Sequence, residues 1–140
     1  MSESVSFSCP LPPRALRTNH RTPHHGYRAA LVREYQEQVW CAGRVAAVEL
    51  SSPPNIHRSV LPPWAKACVE LVWRHAGVAP DEDNALASCK YLIDVLKATG
   101  PRPLRIVRDD SPDCLSVAIT TRKVAHRAQE GVEVTVVRIG

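Results

Sequence analysis

Acidic residues are concentrated in two short segments in the second half of the chain. The first segment is Asp81-Glu-Asp-Asn84, with Lys90 and Asp94 after it, and the second is Asp109-Asp110. Adjacent carboxylates repel each other when no counterion is present. A hard cation such as Mg²⁺ relieves this repulsion, because it is held by one or two carboxylates together with water and phosphate oxygens. The two segments together therefore favour a divalent-cation site.

The spacing of the first segment also predicts which side chains share a surface. If residues 81–98 form one helix, Lys90 and Asp94 return to within about 20° of the direction of Asp83, at about 100° per residue. An adjacent stripe is apolar and consists of Leu86, Cys89, Ile93 and Leu96. We therefore expect the acids to lie at the edge of a buried helix face.

Both acidic segments also have an explanation that involves no ligand. Asp81 is a good N-cap, and Glu82 and Asp83 oppose the helix dipole, each effect being worth about 0.3–1 kcal/mol. Asp109-Asp110 followed by Ser and Pro is a natural turn sequence. For each segment alone, this structural explanation stays open.

The elements that must position these acids follow from the hydrophobic pattern. Alternating residues predict strands at 5–9, 65–74, 115–122 and 132–137, and three-to-four-residue periodicity predicts helices at about 26–50 and 81–98. Prolines predict a loop over 51–63, and residues 104–108 could form a further strand. We expect the last two strands to pair as an antiparallel hairpin. The predicted fold is α+β, a small mixed sheet with two main helices on one face, in a single domain over residues 1–140.

The charge distribution favours a polyanionic partner without establishing one. The chain has 18 Lys and Arg against 14 Asp and Glu, a net charge of +4. A basic arm covers about residues 10–26, and Glu3 is the only acid in the first 28 residues. The arm is either a phosphate-contacting segment or a solvated N-terminal loop.

Composition argues against several other classes. No stretch approaches the roughly 18 apolar residues of a membrane span, and the first residues lack a signal-peptide pattern. The five cysteines include no C-x-x-C pair, which favours free thiols that fill the core, and a reducing, cytoplasmic compartment. His20, His24 and His25 make a weak metal-site candidate, because no helix or strand fixes their geometry. Trp40 is expected to be a core or dimer contact.

In the order of its motifs, the chain resembles the RusA-type Holliday junction resolvases, crossover junction endodeoxyribonucleases often encoded by phages. The resemblance covers nearly the whole chain. It begins with the N-terminal strand and Leu11-Pro-Pro13. It continues with the D-x-D-N signature at residues 81–84, then Lys90 and Asp94, and ends with Asp109-Asp110.

The resemblance implies a RusA-like fold and a homodimeric, Mg²⁺- or Mn²⁺-dependent endonuclease. Such an enzyme resolves four-way junctions in DNA recombination and repair by paired nicks in opposed strands, in a bacterial or phage-infected host cytoplasm. The implied catalytic residues are Asp81, Asp83, Lys90 and Asp110, of which the three acids bind the metal. The implied supporting residues are Asn84, Asp94 and Asp109. The candidate DNA contacts are Arg14, Arg17, Arg21, Arg28, Arg122, Lys123 and Arg127.

The chain departs from the family pattern in two places. The family's helix lysine commonly lies four residues after the second acid, where this chain has Ala87, so Lys90 would have to replace it. The stretch from the helix to Asp109 is also longer than usual. The alternative is therefore a non-catalytic protein of the same fold that binds branched DNA or assists replication.

Overall fold

The structure is a computed structural model that describes residues 3–17, 25–49 and 63–139. Arg21, His20 and His24, together with the predicted loop as far as residue 62, lie outside the described residues. The strands are β1 (Ser4–Cys9), β2 (Ala67–His75), β3 (Leu115–Lys123) and β4 (Gly131–Arg138). The helices are α1 (His25–Glu49), α2 (Glu82–Ser88) and α3 (Lys90–Leu96), with 3-10 turns at Arg14–Leu16 and Arg127–Gln129.

The four predicted strands are confirmed, and their alternation has the expected cause. In β2, the side chains of Val69, Leu71 and Trp73 are buried on one face, whereas Glu70 between them is exposed. A strand places successive side chains on opposite faces, so one face of the sheet forms the core and the other is polar or half-buried.

The sheet has the strand order β1-β4-β2-β3. Strand β3 is parallel to β2, from Ala67 opposite Leu115 to His75 opposite Lys123. Strand β4 is antiparallel to both β1 and β2. The predicted mixed sheet is confirmed.

The predicted hairpin between β3 and β4 is wrong, because β2 lies between these two strands. The connection instead passes around the end of β2. There Val124 N donates to His75 O at 2.8 Å, and Ala76 N donates to the Glu130 carboxylate at 2.9 Å. Alternation predicts where strands are, but it does not say which strands are neighbours.

The helix predicted at about 26–50 is confirmed as α1, which packs closely across β1. Tyr35 and Val39 are buried on its inner face. A Cβ at Gly43 would lie 2.6 Å from Leu104 and 3.1 Å from Phe7, so this position accommodates no larger side chain without movement.

The predicted 81–98 helix is wrong as one continuous element, because it is interrupted at Cys89. The Ser88 hydroxyl donates to Asn84 O at 2.8 Å, a side-chain contact that bends helices. Cys89 N then donates to Leu86 O at 3.0 Å, three residues back rather than four. The calculated stripe of Asp83, Lys90 and Asp94 therefore crosses a break.

Residues 104–108 form no strand. Val107 makes isolated bridges to Trp64 and Lys97, and Leu104 N donates to Val95 O at 2.8 Å. This segment packs against the end of α3 and leads the chain to β3. Within it, Arg105 has a φ of 57°, a left-handed conformation that is strained for a residue with a side chain.

Candidate functional site

Asp81 begins α2 as its N-cap, which confirms that local expectation. Its Oδ1 accepts from Asn84 N at 2.8 Å, and its Oδ2 accepts from Asn84 Nδ2 at 3.2 Å. Asp83 is exposed in the first turn of the helix. The D-x-D-N signature thus folds into a helix start whose second acid faces solvent.

Asp110 is joined to α3 by Lys97, a residue that the sequence reasoning missed. Lys97 Nζ lies 3.7 Å from Asp94 Oδ1 and 3.8 Å from Asp110 Oδ2, and the Lys97 side chain is only 25% exposed. The i, i+3 spacing of Asp94 and Lys97 is the signal that could have indicated this lysine. We call Asp94 and Asp110, together with the Lys97 that lies near both, the lysine-bridged pair.

Asp94 and Asp110 share a hydrogen bond, and their pKa values move in opposite directions. Burial raises the pKa of Asp94, and its hydrogen bond with Asp110 raises it further, while Lys97 opposes both effects. Burial also acts to raise the pKa of Asp110, but the hydrogen bond from Asp94 and the charge of Lys97 outweigh it and lower the pKa. Asp110 is therefore the stronger acid of the two carboxyl groups, and it ionises first as the pH rises.

Asp109 supports the turn that carries Asp110, because its Oδ1 accepts from Asp110 N at 2.9 Å. Two of the three predicted supporting residues, Asp94 and Asp109, thus contact Asp110, and the third, Asn84, contacts Asp81.

The two acidic segments leave the sheet at opposite ends. Strands β2 and β3 are parallel and in register, Asp81 follows the last residue of β2, and Asp110 precedes the first residue of β3. The crossover between them, which contains α2 and α3, runs back along these strands. Each strand has nine residues and is about 30 Å long, at 3.3 Å per residue. Within the described parts of the chain, no group of three His, Cys, Asp or Glu side chains could hold a metal ion. One copy therefore does not bring Asp81, Asp83 and Asp110 together.

Lys90 is exposed at the start of α3, with Nζ 4.8 Å from the centroid of the Tyr91 ring. Among the described residues, the ion pairs of the acidic segments involve Lys97 rather than Lys90. Arg28, a predicted DNA contact, donates to the Tyr91 hydroxyl at 3.0 Å and also lies over this ring.

Most of the other predicted DNA contacts lie near the end of β2 from which Asp81 leaves. Arg17 stacks over Trp73 and donates to Pro12 O at 3.0 Å, and burial, with the neighbouring Arg14, lowers its pKa. Arg122 is paired with Glu133 at 2.7 Å. Three further basic residues at this end are exposed: Arg14, Lys123 and Arg127.

The buried cysteines do not contribute a nucleophile. Burial raises the pKa of Cys9 and of Cys89 to about 12, so both thiols stay protonated at neutral pH. Cys89 and Cys114 fill the core as expected, whereas Cys68 is half-buried.

Comparison with known proteins adds no assignment: neither the models of known protein families nor the curated proteins gave a match. In the described ranges, no helix combines the length and the apolar character needed to cross a membrane.

Proposed function

We propose that this protein is a metal-dependent endonuclease that resolves four-way DNA junctions by paired nicks, acting in the cytoplasm of a bacterial or phage-infected cell. The observation that carries the proposal is the convergence of Lys97 with the carboxylates of Asp94 and Asp110, at the opposite end of the crossover from Asp81 and Asp83. At one end Asp83 is exposed beside the N-cap Asp81, and at the other the ionised Asp110 is held by Lys97. The order of motifs, similar to that of the RusA-type resolvases, supports the same function.

The donor set fits a hard divalent cation, Mg²⁺ or Mn²⁺. Asp81, Asp83 and Asp110 supply carboxylate oxygens, the ligands that such ions prefer. Asp81 already accepts two hydrogen bonds, but a carboxylate has about four lone-pair sites and retains capacity for a cation. When bound, the metal activates water and stabilises charge on the phosphate.

The site we propose lies between two copies of the chain. Because Asp81 and Asp83 stand at the opposite end of the crossover from Asp110, a complete site needs the first segment of one copy and the second segment of the other. A twofold dimer provides two such sites, which matches the two opposed strands of a junction.

The chain's own residues have distinct roles in this proposal. Asp83 and Asp110 would hold the cation and orient the water, and Lys97 fixes the orientation of the Asp110 carboxylate through their ion pair. Lys90 is assigned to the phosphate, because its side chain is exposed at the start of α3. The basic residues at the end of β2 contact the DNA backbone.

A non-catalytic branched-DNA-binding or replication accessory protein is the second candidate. The separation of the acids within one copy and the position of Lys90 over Tyr91 favour it. This candidate predicts junction binding without nicking under any metal condition.

The first experiment measures nicking of a labelled four-way junction, and of a linear duplex of matching sequence, with Mg²⁺, Mn²⁺ or EDTA. The junction contains several dinucleotides near the crossover point, so that a sequence preference does not hide activity. Paired, metal-dependent nicks that Asp83→Asn abolishes support the nuclease. Binding alone supports the accessory protein.

Mixing two inactive variants tests the shared site directly. In a dimer of Asp83→Asn with Asp110→Asn, one site has both substitutions and the other has none. Random pairing then restores up to about a quarter of the wild-type sites, each of which nicks one strand. If each site belonged to one copy, the mixture would stay inactive.

A further inference from the structure

A groove of about 770 Å³ lies beside the lysine-bridged pair, between α1 and the turn that follows α3. Arg33 and Glu37 of α1 line one side, and Lys97, Thr99 and Arg102 line the other. Its volume is within the roughly 300–1,000 Å³ of ligand-binding clefts. Since Asp94 and Lys97 are part of its wall, the groove opens directly onto the candidate site.

Three of the lining residues are cations, and two are acids that pair with them. Arg102 lies 3.5 Å from Glu37, and Lys97 lies 3.7 Å from Asp94. Arg33 is exposed and forms no ion pair with a described residue. The charged residues that line the groove therefore sum to one positive charge, and Arg33 is the lining cation without an ion pair among the described residues.

The basic surface continues beyond the groove along α1. Arg33, Glu37, Trp40 and Arg44 are spaced by four, three and four residues, which places them on one helix face. Two guanidinium groups lie over the Trp40 ring, with Arg44 Cζ 5.1 Å and Arg102 Cζ 5.6 Å from its centroid. Trp40 is half-buried and packs against the core, as the sequence prediction of a core or dimer contact allows, and part of its side chain remains accessible.

We propose that this groove binds the sugar-phosphate backbone of one DNA strand, with Arg33 and Arg102 contacting successive phosphates and Trp40 at its outer end. A cationic channel with an aromatic side chain is the usual arrangement for a nucleic-acid strand. The inference rests on the proposed function, because it positions the strand beside Asp110. Neither arginine belongs to the DNA contacts expected from the sequence.

The test measures binding of a fluorescein-labelled four-way junction by anisotropy in EDTA, where no nicking interferes, over a series of salt concentrations. Arg33→Gln and Arg102→Gln are each expected to weaken binding on the order of fivefold. Each is also expected to reduce the slope of log K against log salt by about 0.7–0.9, the loss of one phosphate contact.

Arg138→Gln is the matched control. Arg138 is 45% exposed and lies 3.3 Å from Glu3, whereas Arg102 is 47% exposed and lies 3.5 Å from Glu37. Both substitutions remove one charge and one surface ion pair, but Arg138 ends β4 and does not line the groove. Its junction affinity and salt slope are expected to equal those of the wild type.

Trp40 provides a second readout. The other two tryptophans, Trp64 and Trp73, are 6% and 2% exposed. Because Arg17 lies over Trp73, the emission change assigned to Trp40 is the part that Arg17→Gln leaves in place. Trp40→Phe should abolish that change. An unchanged response in Trp40→Phe would overturn the placement of the strand beside Trp40.

The outcomes separate this proposal from the nuclease. If the wild type nicks junctions in Mg²⁺ while Arg33→Gln and Arg102→Gln bind like Arg138→Gln, the groove is not the strand site and the nuclease stands. If binding depends on both arginines but no metal supports nicking, the groove stands and the nuclease fails. If no DNA binds, or if RNA of the same sequence binds more tightly with the same dependence on Arg33, the assignment to DNA is overturned.

Discussion

The two acidic segments are positioned by different means. Asp81 is held by the start of its own helix, through two contacts with Asn84. Asp110 is held by residues of another element, Lys97 and Asp94 of the α3 region. A helix start needs a cap whatever the protein does, whereas nothing in the local backbone requires two carboxyl groups and a lysine to converge. The second segment is therefore the stronger sign of function.

Substitution of Asp110 should produce the largest effect. Asp110→Asn removes the ionised carboxylate, and we expect nicking of a four-way junction to fall on the order of 100-fold or more, beyond the loss from a supporting residue. Circular dichroism should show an unchanged fold, because the side chain is at the surface. If Asp110→Asn nicks at the wild-type rate, the second acidic segment is not the stronger sign of function.

Lys97 should have the next largest effect. Lys97→Met keeps the length of the side chain but removes the charge that pairs with Asp110 and lowers its pKa, and we expect nicking to fall by about 10-fold. The loss should be greater at low pH than at high pH, because Asp110 then protonates more readily. Lys90→Met is the competing variant, because the family-based assignment makes Lys90 the catalytic lysine and predicts that its loss reduces nicking. A loss in Lys90→Met alone would assign the catalytic lysine to Lys90, and a loss in Lys97→Met alone would assign it to Lys97.

The secondary structure was predictable from the sequence except for the break between α2 and α3. The four strands and α1 were predictable because alternation and helical periodicity report which side chains face a core. The break at Cys89 was not, because it depends on the hydroxyl contact of Ser88 with Asn84 rather than on any pattern of apolar residues. Because Asp83 lies in α2 and Lys90 in α3, the geometry of a single helix does not describe how their side chains are arranged.

The partners of each strand and each acid were the other unpredicted part. The hairpin prediction failed because sequence proximity does not fix neighbours in a sheet, and β2 separates β3 from β4. The same limit applies to Asp110, whose contact with Lys97 depends on how residues 98–109 fold back onto α3. The capping role of Asp81 needed no tertiary information, and it was predicted.

A pair of substitutions at Asp81 separates its structural role from any chemical role. Asn is as good an N-cap as Asp, so Asp81→Asn should leave the free energy of unfolding nearly unchanged, whereas Asp81→Ala should reduce it by about 1 kcal/mol. If Asp81 binds the cation, both variants lose nicking equally. Urea denaturation and junction nicking of the same samples measure the two effects. Nicking that survives in Asp81→Asn but not in Asp81→Ala would assign Asp81 to the cap alone.

The smallest expected effect is the pH dependence of stability at the lysine-bridged pair. Because the pKa of Asp94 is raised in the folded state, the folded protein binds more protons than the unfolded one above the ordinary value of 3.8. Ionisation of Asp94 therefore lowers stability as the pH rises through that window. The amide in Asp94→Asn can still donate to Asp110, so this variant should match the wild type at low pH and become the more stable protein above the window.

Asp110, whose pKa is lowered, contributes stability with the opposite sign, gained as the pH rises toward 3.8. Urea denaturation of both proteins from pH 3 to 7 measures the difference, and a difference independent of pH would mean that folding does not raise the pKa of Asp94.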